Sequence, residues 1–213
     1  MKKVRNIGLK SFSLSGRVVS LKRNDLVSFE SSLERDFIHC LEFDKSVIAY
    51  YEQPLKIFYE VNNSKRYYVP DFYVQYLGDR RDEIIETKYK YDLQKNKRKY
   101  RDKFEAARQF CKANNLKFIV KDETDVRTPY MFNSKFLLPY MISKQDIDFT
   151  DVHVLENSLK TLGESTPEEL ILKSNCNDER KAELIYVLWF MLANDDIKVN
   201  LNEKLTMQSK IWI

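Results

Sequence analysis

The alternation of apolar and polar positions in the first half of the chain predicts a helix followed by short strands. Leu33, Phe37 and Leu41 recur at a spacing of four within residues 31–43, which is the apolar stripe of an amphipathic helix. Residues 77–79 (LGD) predict a turn, and the run after it pairs with the run before it as a hairpin. The predicted strands are rich in aromatic and β-branched residues and cover 47–51, 55–61, 66–76 and 82–88.

A second periodic region completes the predicted domain. Residues 92–114 contain no glycine or proline and predict a long helix that ends at Asn114 and Asn115. Residues 117–121 (KFIVK) then predict one more strand. The order helix, antiparallel strands, helix, strand is typical of a mixed α/β fold, with one sheet flanked by helices.

Charged residues occur at one end of the predicted hairpin. Asp71 follows Pro70, and Glu86 and Lys88 share one face of the next strand because successive side chains alternate. Carboxylates together with a phosphate suffice to hold Mg²⁺, which keeps several of its waters. The pattern therefore indicates a metal-dependent phosphodiesterase, in which Lys88 orients water or neutralises developing charge. A solvated strand edge with an ion pair is the alternative that these residues alone leave open.

Glu34, on the predicted first helix, is a candidate third acid with two interpretations. It could project toward the edge of the sheet beside the other carboxylates. Ser31 and Glu34 also have the spacing of a capping box, in which the two side chains satisfy free amides at a helix start.

The stretch from Ser31 to Lys121 resembles the TnsA endonuclease subunit of heteromeric cut-and-paste transposases. The resemblance rests on SSLERDFIHCLEFDKSVIAYYEQP, which includes Gln53 and Pro54, and on YYVPDFYV and IIETKYK. It implies a restriction-endonuclease-like mixed sheet and a DNA endonuclease that uses Mg²⁺, with Mn²⁺ as a substitute. Carried over residue by residue, it implies that Glu34, Asp71 and Glu86 are the metal ligands and that these three act in catalysis together with Lys88.

The same resemblance implies a reaction and a set of partners. The substrate is double-stranded DNA at the ends of a mobile element, which this subunit cuts at the 5′ ends. The partners are an integrase-type transposase for the 3′ ends and an AAA+ ATPase regulator. A stand-alone restriction- or resolvase-type nuclease and a non-catalytic assembly module remain as alternatives.

Basic residues are concentrated in two regions. Residues 1–24 hold seven basic and no acidic side chains, and residues 88–103 hold eight basic and two acidic ones. Such clusters release counterions from a phosphate backbone, although a solvated helix face is the plainer explanation of the second. The predicted DNA-binding residues are Lys90, Lys95, Lys97, Arg98, Lys99 and Arg101.

Charge also predicts three segments: a basic arm over 1–28, a catalytic domain over 29–145 and a C-terminal domain over 146–213. Residues 151–213 carry seven basic and eleven acidic side chains, a net charge of −4. Helices beginning at Thr166 and Asp178, followed by a closing hairpin, resemble a small winged helix. Its acidity favours contacts with protein over contacts with DNA. The broad apolar surface of its last helix predicts the core of this domain.

Composition excludes several classes of protein. No apolar run approaches the roughly 20 residues of a membrane span, and the N-terminal segment lacks the apolar centre of a signal peptide. We therefore expect no membrane partner and a cytoplasmic protein. The resemblance to TnsA implies a prokaryotic protein that is associated with the nucleoid when active. Cys40, Cys111 and Cys176 lack the spacing of zinc ligands and predict reduced thiols.

Overall fold

A four-stranded mixed sheet lies at the centre of the first part of the chain. The structure is a computed structural model that describes residues 14–141, 147–174 and 178–213. Up to the last strand of this sheet, the elements are β1 (Gly16–Ser20), β2 (Asp25–Phe29), α1 (Ser32–Phe43), β3 (Val47–Glu52), β4 (Ile57–Val61), β5 (Ser64–Tyr68), β6 (Phe72–Tyr76), β7 (Glu83–Thr87), α2 (Lys90–Lys95), α3 (Lys97–Ala113) and β8 (Lys117–Lys121). The order of strands in the sheet is β3-β6-β7-β8. Strand β6 is antiparallel to β3 and to β7, and β8 is parallel to β7. The predicted mixed α/β fold is confirmed at this level.

Helix α1 supplies one side of the core of this sheet. The predicted stripe of Leu33, Phe37 and Leu41 is buried and packs in one cluster with Tyr50 and Phe72 of the sheet. Each such side chain stabilises the fold by about 1.5–3 kcal/mol relative to an exposed position. The periodicity therefore identified the correct face of α1.

Two predicted elements are interrupted. The run 66–76 divides into β5 and β6 at Pro70, because proline has no N–H to donate to a strand ladder. Strand β5 instead pairs with β4 in a separate two-stranded sheet, whose turn residues Asn62 and Asn63 both have positive φ. The predicted hairpin of β6 and β7 forms around Gly78, at φ 68. The predicted long helix divides into α2 and α3 at Asn96.

The segment predicted as a basic arm contains a folded hairpin. Strands β1 and β2 pair, and Val27 and Phe29 join the core. The ammonium group of Lys22 donates to the carbonyls of Asp44 and Val47, so this lysine is engaged by the fold. Residues 1–13, which hold the basic residues Lys2, Lys3, Arg5 and Lys10, lie outside the described residues.

The second compact unit begins at Thr128, earlier than the boundary at 145–146 that charge predicted. Its elements, after the single turn α4 (Glu123–Val126) of the first unit, are α5 (Pro129–Met141), α6 (Phe149–Leu162), β9 (Glu164–Ser165), α7 (Pro167–Lys173), α8 (Asp178–Asn194), β10 (Lys198–Val199) and β11 (Ile211–Trp212). Helix α5 belongs here because the Asn133 amide donates to the carbonyls of Leu201 and Glu203.

Leucines form the core of this second unit. Leu155, Leu159, Leu170, Leu184 and Leu188 are almost completely buried. The predicted closing hairpin is present as β10 and β11, and β9 adds a third strand beside β11. The apolar breadth of α8 belongs to this core, as predicted, because its tryptophan and methionine are also buried.

Two smaller expectations concern thiols and membranes. Cys40 and Cys111 are free, and Cys176 lies outside the described residues. In the described ranges, no helix combines the length and the apolar character needed to cross a membrane.

Candidate active site

Asp71 lies in the bend between β5 and β6, where it contacts the end of β7. Its Oδ2 accepts hydrogen bonds from the backbone N–H of Thr87, at 2.8 Å, and from the Thr87 hydroxyl, at 3.0 Å. Its carbonyl accepts from the backbone N–H of Gln53, at 2.8 Å. Pro70 ends the preceding strand, so the chain can turn and aim this carboxylate along the neighbouring strand.

Lys88 joins the two carboxylates of the hairpin. Its Nζ lies 3.3 Å from Asp71 Oδ2 and 3.1 Å from Glu86 Oε1, and it donates to the Thr87 carbonyl at 2.9 Å. Glu86 is 2% exposed, whereas a quarter of the Lys88 side chain is exposed. The structure thus brings together the three residues that the hairpin pattern singled out.

Glu34 acts as a helix cap and also faces this group. Its Oε2 accepts from the Glu30 backbone N–H at 2.8 Å, its Oε1 accepts from the Ser31 hydroxyl at 3.0 Å, and its own N–H donates to Ser31 Oγ. Burial, followed by repulsion from Asp71, raises the pKa of Glu34 from 4.5 to about 7, while Lys88 opposes the rise. The contacts show the capping role of Glu34, and its role as a metal ligand stays a prediction.

A guanidinium group fixes the start of α1 beside the site. Arg127 Nε donates to Asp36 Oδ2 at 2.9 Å, and its Nη2 donates to the hydroxyls of Ser32 and Tyr89. These contacts join the first turn of α1 to the residue that follows Lys88. They hold the helix that carries Glu34 in register with the end of β7.

Electrostatic competition characterises this cluster. Burial, followed by repulsion from Glu86, raises the pKa of Asp71 from 3.8 to about 6. Burial alone would lower the pKa of Lys88, but the charges of Asp71 and Glu86 raise it above its usual value. A pKa shifted by burial together with a specific charged partner makes a residue a candidate for a functional site.

Sequence reasoning missed three residues of the site. The Tyr68 hydroxyl donates to Glu86 Oε2 at 2.5 Å, and Lys103 Nζ lies 3.1 Å from Glu86 Oε1. Thr87 holds Asp71, as described above. Lys103 belongs to the basic run of residues 88–103, and Tyr68 lies in the predicted strand 66–76. The one signal available for Tyr68 was its place two residues before Pro70.

The carboxylate oxygens of Asp71 and Glu86 fit a hard cation. Asp71 Oδ2 accepts hydrogen bonds from three donors, whereas Asp71 Oδ1 accepts none from the residues that the structure describes. Two ammonium groups occupy Glu86 Oε1 and one phenol occupies Oε2, which leaves one lone pair on Oε2. Over the described ranges, no three His, Cys, Asp or Glu side chains form a group that could hold a metal ion. Mg²⁺ is commonly bound by one or two carboxylates, with waters and substrate phosphates.

The predicted DNA-binding residues lie on the surface of α2 and α3. All six are exposed: Lys90, Lys95, Lys97, Arg98, Lys99 and Arg101. Arg101 is partly neutralised, since its Nε donates to Asp102 at 2.9 Å. Helix α3 also carries Lys103, which contacts Glu86. The helix that carries most of the basic surface therefore also contacts the acidic cluster.

A mixed sheet whose hairpin presents Asp71, Glu86 and Lys88 at one end has the architecture and chemistry of a nuclease. Residues 44–123 match the family model described as TnsA-like endonuclease N terminal. This match confirms the resemblance, and over residues 44–123 the chain is similar to a TnsA-like endonuclease N-terminal domain. Asp71, Glu86, Lys88 and Lys103 lie inside the matched stretch, whereas Glu34 precedes it. A search of curated proteins found no match.

Proposed function

We propose that this chain is the Mg²⁺-dependent DNA endonuclease subunit of a heteromeric transposase, cutting the 5′ ends of a mobile element during cut-and-paste transposition. The observation that carries the proposal is the bridging of Asp71 and Glu86 by Lys88. It lies within the stretch that matches the TnsA-like endonuclease model.

The residues of the site have separate roles in phosphodiester hydrolysis. Asp71 and Glu86 would hold Mg²⁺, and Glu34, whose two oxygens accept the hydrogen bonds of a helix cap, stays a predicted third ligand. The bound ion would acidify a water and polarise the phosphorus. Lys88, whose side chain is partly exposed, would orient the attacking water or neutralise charge that develops on the phosphate.

The exposed basic side chains of α2 and α3 support DNA as the substrate. They neutralise backbone phosphates without reading sequence, so they add affinity for any duplex. Recognition of a particular end is therefore assigned to the partners, an integrase-type transposase and an AAA+ ATPase regulator.

The second unit is proposed as a winged-helix-like domain that contacts protein. Helices α6 to α8 with a three-stranded sheet are compatible with that architecture. The net charge of −4 over residues 151–213 favours a protein surface over a phosphate backbone. Assembly through this unit would restrict cutting to transposon ends.

The test is reconstitution with the integrase-type transposase, its regulator and a donor plasmid. We expect 5′-end cuts only in the complete mixture, and loss of those cuts in the Asp71→Asn variant. Asp79→Asn, which alters an exposed acid in the turn of the same hairpin, is the matched control and keeps wild-type activity. In cells, Asp71→Asn should convert simple insertions into cointegrates, because uncut 5′ ends keep donor and target joined.

Two other results would select the alternatives. Nicking of plasmid DNA by the purified chain alone would favour a stand-alone nuclease. Unchanged simple insertions in the Asp71→Asn strain, while deletion of the chain abolishes transposition, would favour a non-catalytic assembly module.

A further inference from the structure

We propose that Lys103 is a positioning residue of this site, which holds Glu86 so that Lys88 is free to act on the substrate. The inference rests on the proposed nuclease function. Lys103 lies on α3, distant in sequence from the hairpin, yet its Nζ is 3.1 Å from Glu86 Oε1. Its side chain is 17% exposed, against 78% for Arg101 on the same helix. Lys103 is thus set apart from the basic surface around it.

Aromatic rings hold the ammonium group of Lys103 in place. Its Nζ lies 4.7 Å from the centroid of Tyr68, 4.5 Å from that of Tyr100 and 5.1 Å from that of Phe104. Tyr100 and Phe104 are themselves stacked, with centroids 5.3 Å apart. Ring faces attract a cation within about 6 Å, and more strongly where water is excluded. The cage therefore fixes a charge beside Glu86 that a solvated lysine would not supply.

Glu86 is held at both of its oxygens by this cage. Lys103 contacts Oε1, and the Tyr68 hydroxyl donates to Oε2 while the Tyr68 ring forms one wall around Lys103. The carboxylate plane is thus set by two groups that are both buried to a large degree. Groups that orient a metal ligand in this way commonly change metal affinity or activity 10- to 100-fold when removed.

The contacts of Lys88 show what a second lysine adds. Lys88 donates hydrogen bonds to Asp71 Oδ2 and to the Thr87 carbonyl, and its ammonium group forms an ion pair with Glu86 Oε1 at 3.1 Å. If Lys88 turns toward a water or a phosphate, its contact with Glu86 is the one that another cation can replace. Glu86 Oε1 is the acceptor that keeps a cation when Lys88 leaves, because Lys103 remains bound to it.

The experiment compares Lys103→Met with Lys103→Arg and with Lys112→Met in the complete transposition mixture. Lys112 is an exposed lysine in the last turn of the same helix, outside the predicted DNA-binding residues, and is the matched control. We expect Lys103→Met to lower the single-turnover rate of 5′-end cutting 10- to 100-fold, with half-saturating DNA changed less than twofold. Lys103→Arg should restore much of the rate, and Lys112→Met should leave the rate unchanged.

Two further measurements separate positioning from general stability. Mn²⁺ binding to the DNA-free full chain, measured by calorimetry, should weaken in Lys103→Met and not in Lys112→Met. In a Glu86→Gln background, Lys103→Met should have little additional effect on cutting, since the carboxylate that it positions is gone. If Lys103→Met fails to fold, the same comparison is made with Lys103→Gln.

The outcomes distinguish this inference from the proposed function. If Asp71→Asn abolishes cutting and Lys103→Met cuts as fast as wild type, the role of Lys103 is overturned and the proposed function stands. The same conclusion follows if Lys103→Met lowers the cutting rate by an equal factor in the wild-type and in the Glu86→Gln background. Absence of cutting by the wild type in the complete mixture overturns both.

Discussion

Two pairs of acids in the first unit have different surroundings. Glu42 accepts from the Leu21 backbone N–H and the Tyr50 hydroxyl, and Glu52 accepts from Arg23 and the Ser28 backbone N–H. Arg23 also contacts the exposed Asp25, and these contacts tie the first hairpin to α1 and β3.

At the candidate site, by contrast, Asp71 and Glu86 share the ammonium group of Lys88. Repulsion between the acids raises the pKa of Asp71 and of Glu34, in addition to burial. The comparison teaches that burial of an acid does not identify a functional site. Buried acids that repel one another beside a shared lysine are candidates for such a site.

The largest effect is expected from the cation that the acids share. Lys88→Met should lower 5′-end cutting on the order of 100- to 1,000-fold, the usual effect of removing a group that stabilises transition-state charge. DNA affinity should change little, because the exposed lysines of α2 and α3 remain. Single-turnover cleavage and a binding titration measure the two quantities, with Lys90→Met as the exposed control. An equal loss of binding and cutting would assign Lys88 to the basic surface.

The second prediction concerns the cation of the structural group. Arg23→Met leaves the buried Glu52 without its guanidinium partner, whose Nη1 lies 2.8 Å from the carboxylate. Loss of one member of such a pair costs about 3 kcal/mol in the free energy of unfolding. Urea unfolding should report this loss, while the cutting rate per folded molecule stays unchanged. A large fall in that rate would mean that the two groups of acids are coupled.

The third prediction is the pH dependence that follows from Glu34. Its pKa in the folded protein is about 7 against an ordinary value of 4.5, so the folded state binds more protons between those values. The contribution of Glu34 to the free energy of unfolding of the metal-free protein is therefore most favourable below pH 4.5 and falls as pH rises. Above pH 7 the charged Glu34 destabilises the folded state by its full amount. Glu34→Gln keeps an acceptor for the cap and removes the penalty.

Unfolding of the metal-free proteins in urea tests this sign. The variant should gain on the order of 2 kcal/mol over wild type at pH 8, and this gain should disappear near pH 4. A variant that is less stable than wild type at both pH values would identify Glu34 as a cap without electrostatic strain.

The sequence predicted those parts of the fold that depend on neighbours along the chain. The stripe of Leu33, Phe37 and Leu41 and the hairpin around Gly78 repeat with the periods of a helix and a strand, so their faces follow from local geometry. The same alternation placed Glu86 and Lys88 together, and they meet in the structure.

Features that depend on distant contacts were not predicted. Lys103 and Tyr68 reach Glu86 from a helix and from a separate hairpin, and no local pattern distinguishes Lys103 from the other lysines around it. The early start of the second unit depends on Asn133, whose partners lie near the end of the chain. Charge placed that boundary later, because net charge describes a surface and not the packing beneath it.

The smallest effect is expected on the basic surface, where it tests whether DNA lies close to the competing acids. Lys97 begins α3, about 9 Å along the helix from Lys103, whereas Lys112 lies about 13.5 Å beyond Lys103 in the last turn. If the duplex passes over the start of α3, Lys97→Ala should lower the salt dependence of binding by about one unit of log–log slope. Affinity near 0.15 M salt should then fall about fivefold, by the same counterion release. Lys112→Ala, an exposed lysine on the same helix, should leave the slope unchanged. Binding isotherms from about 50 to 200 mM salt measure both, and equal slopes in the two variants would show that affinity is not focused near Glu86 and Lys88.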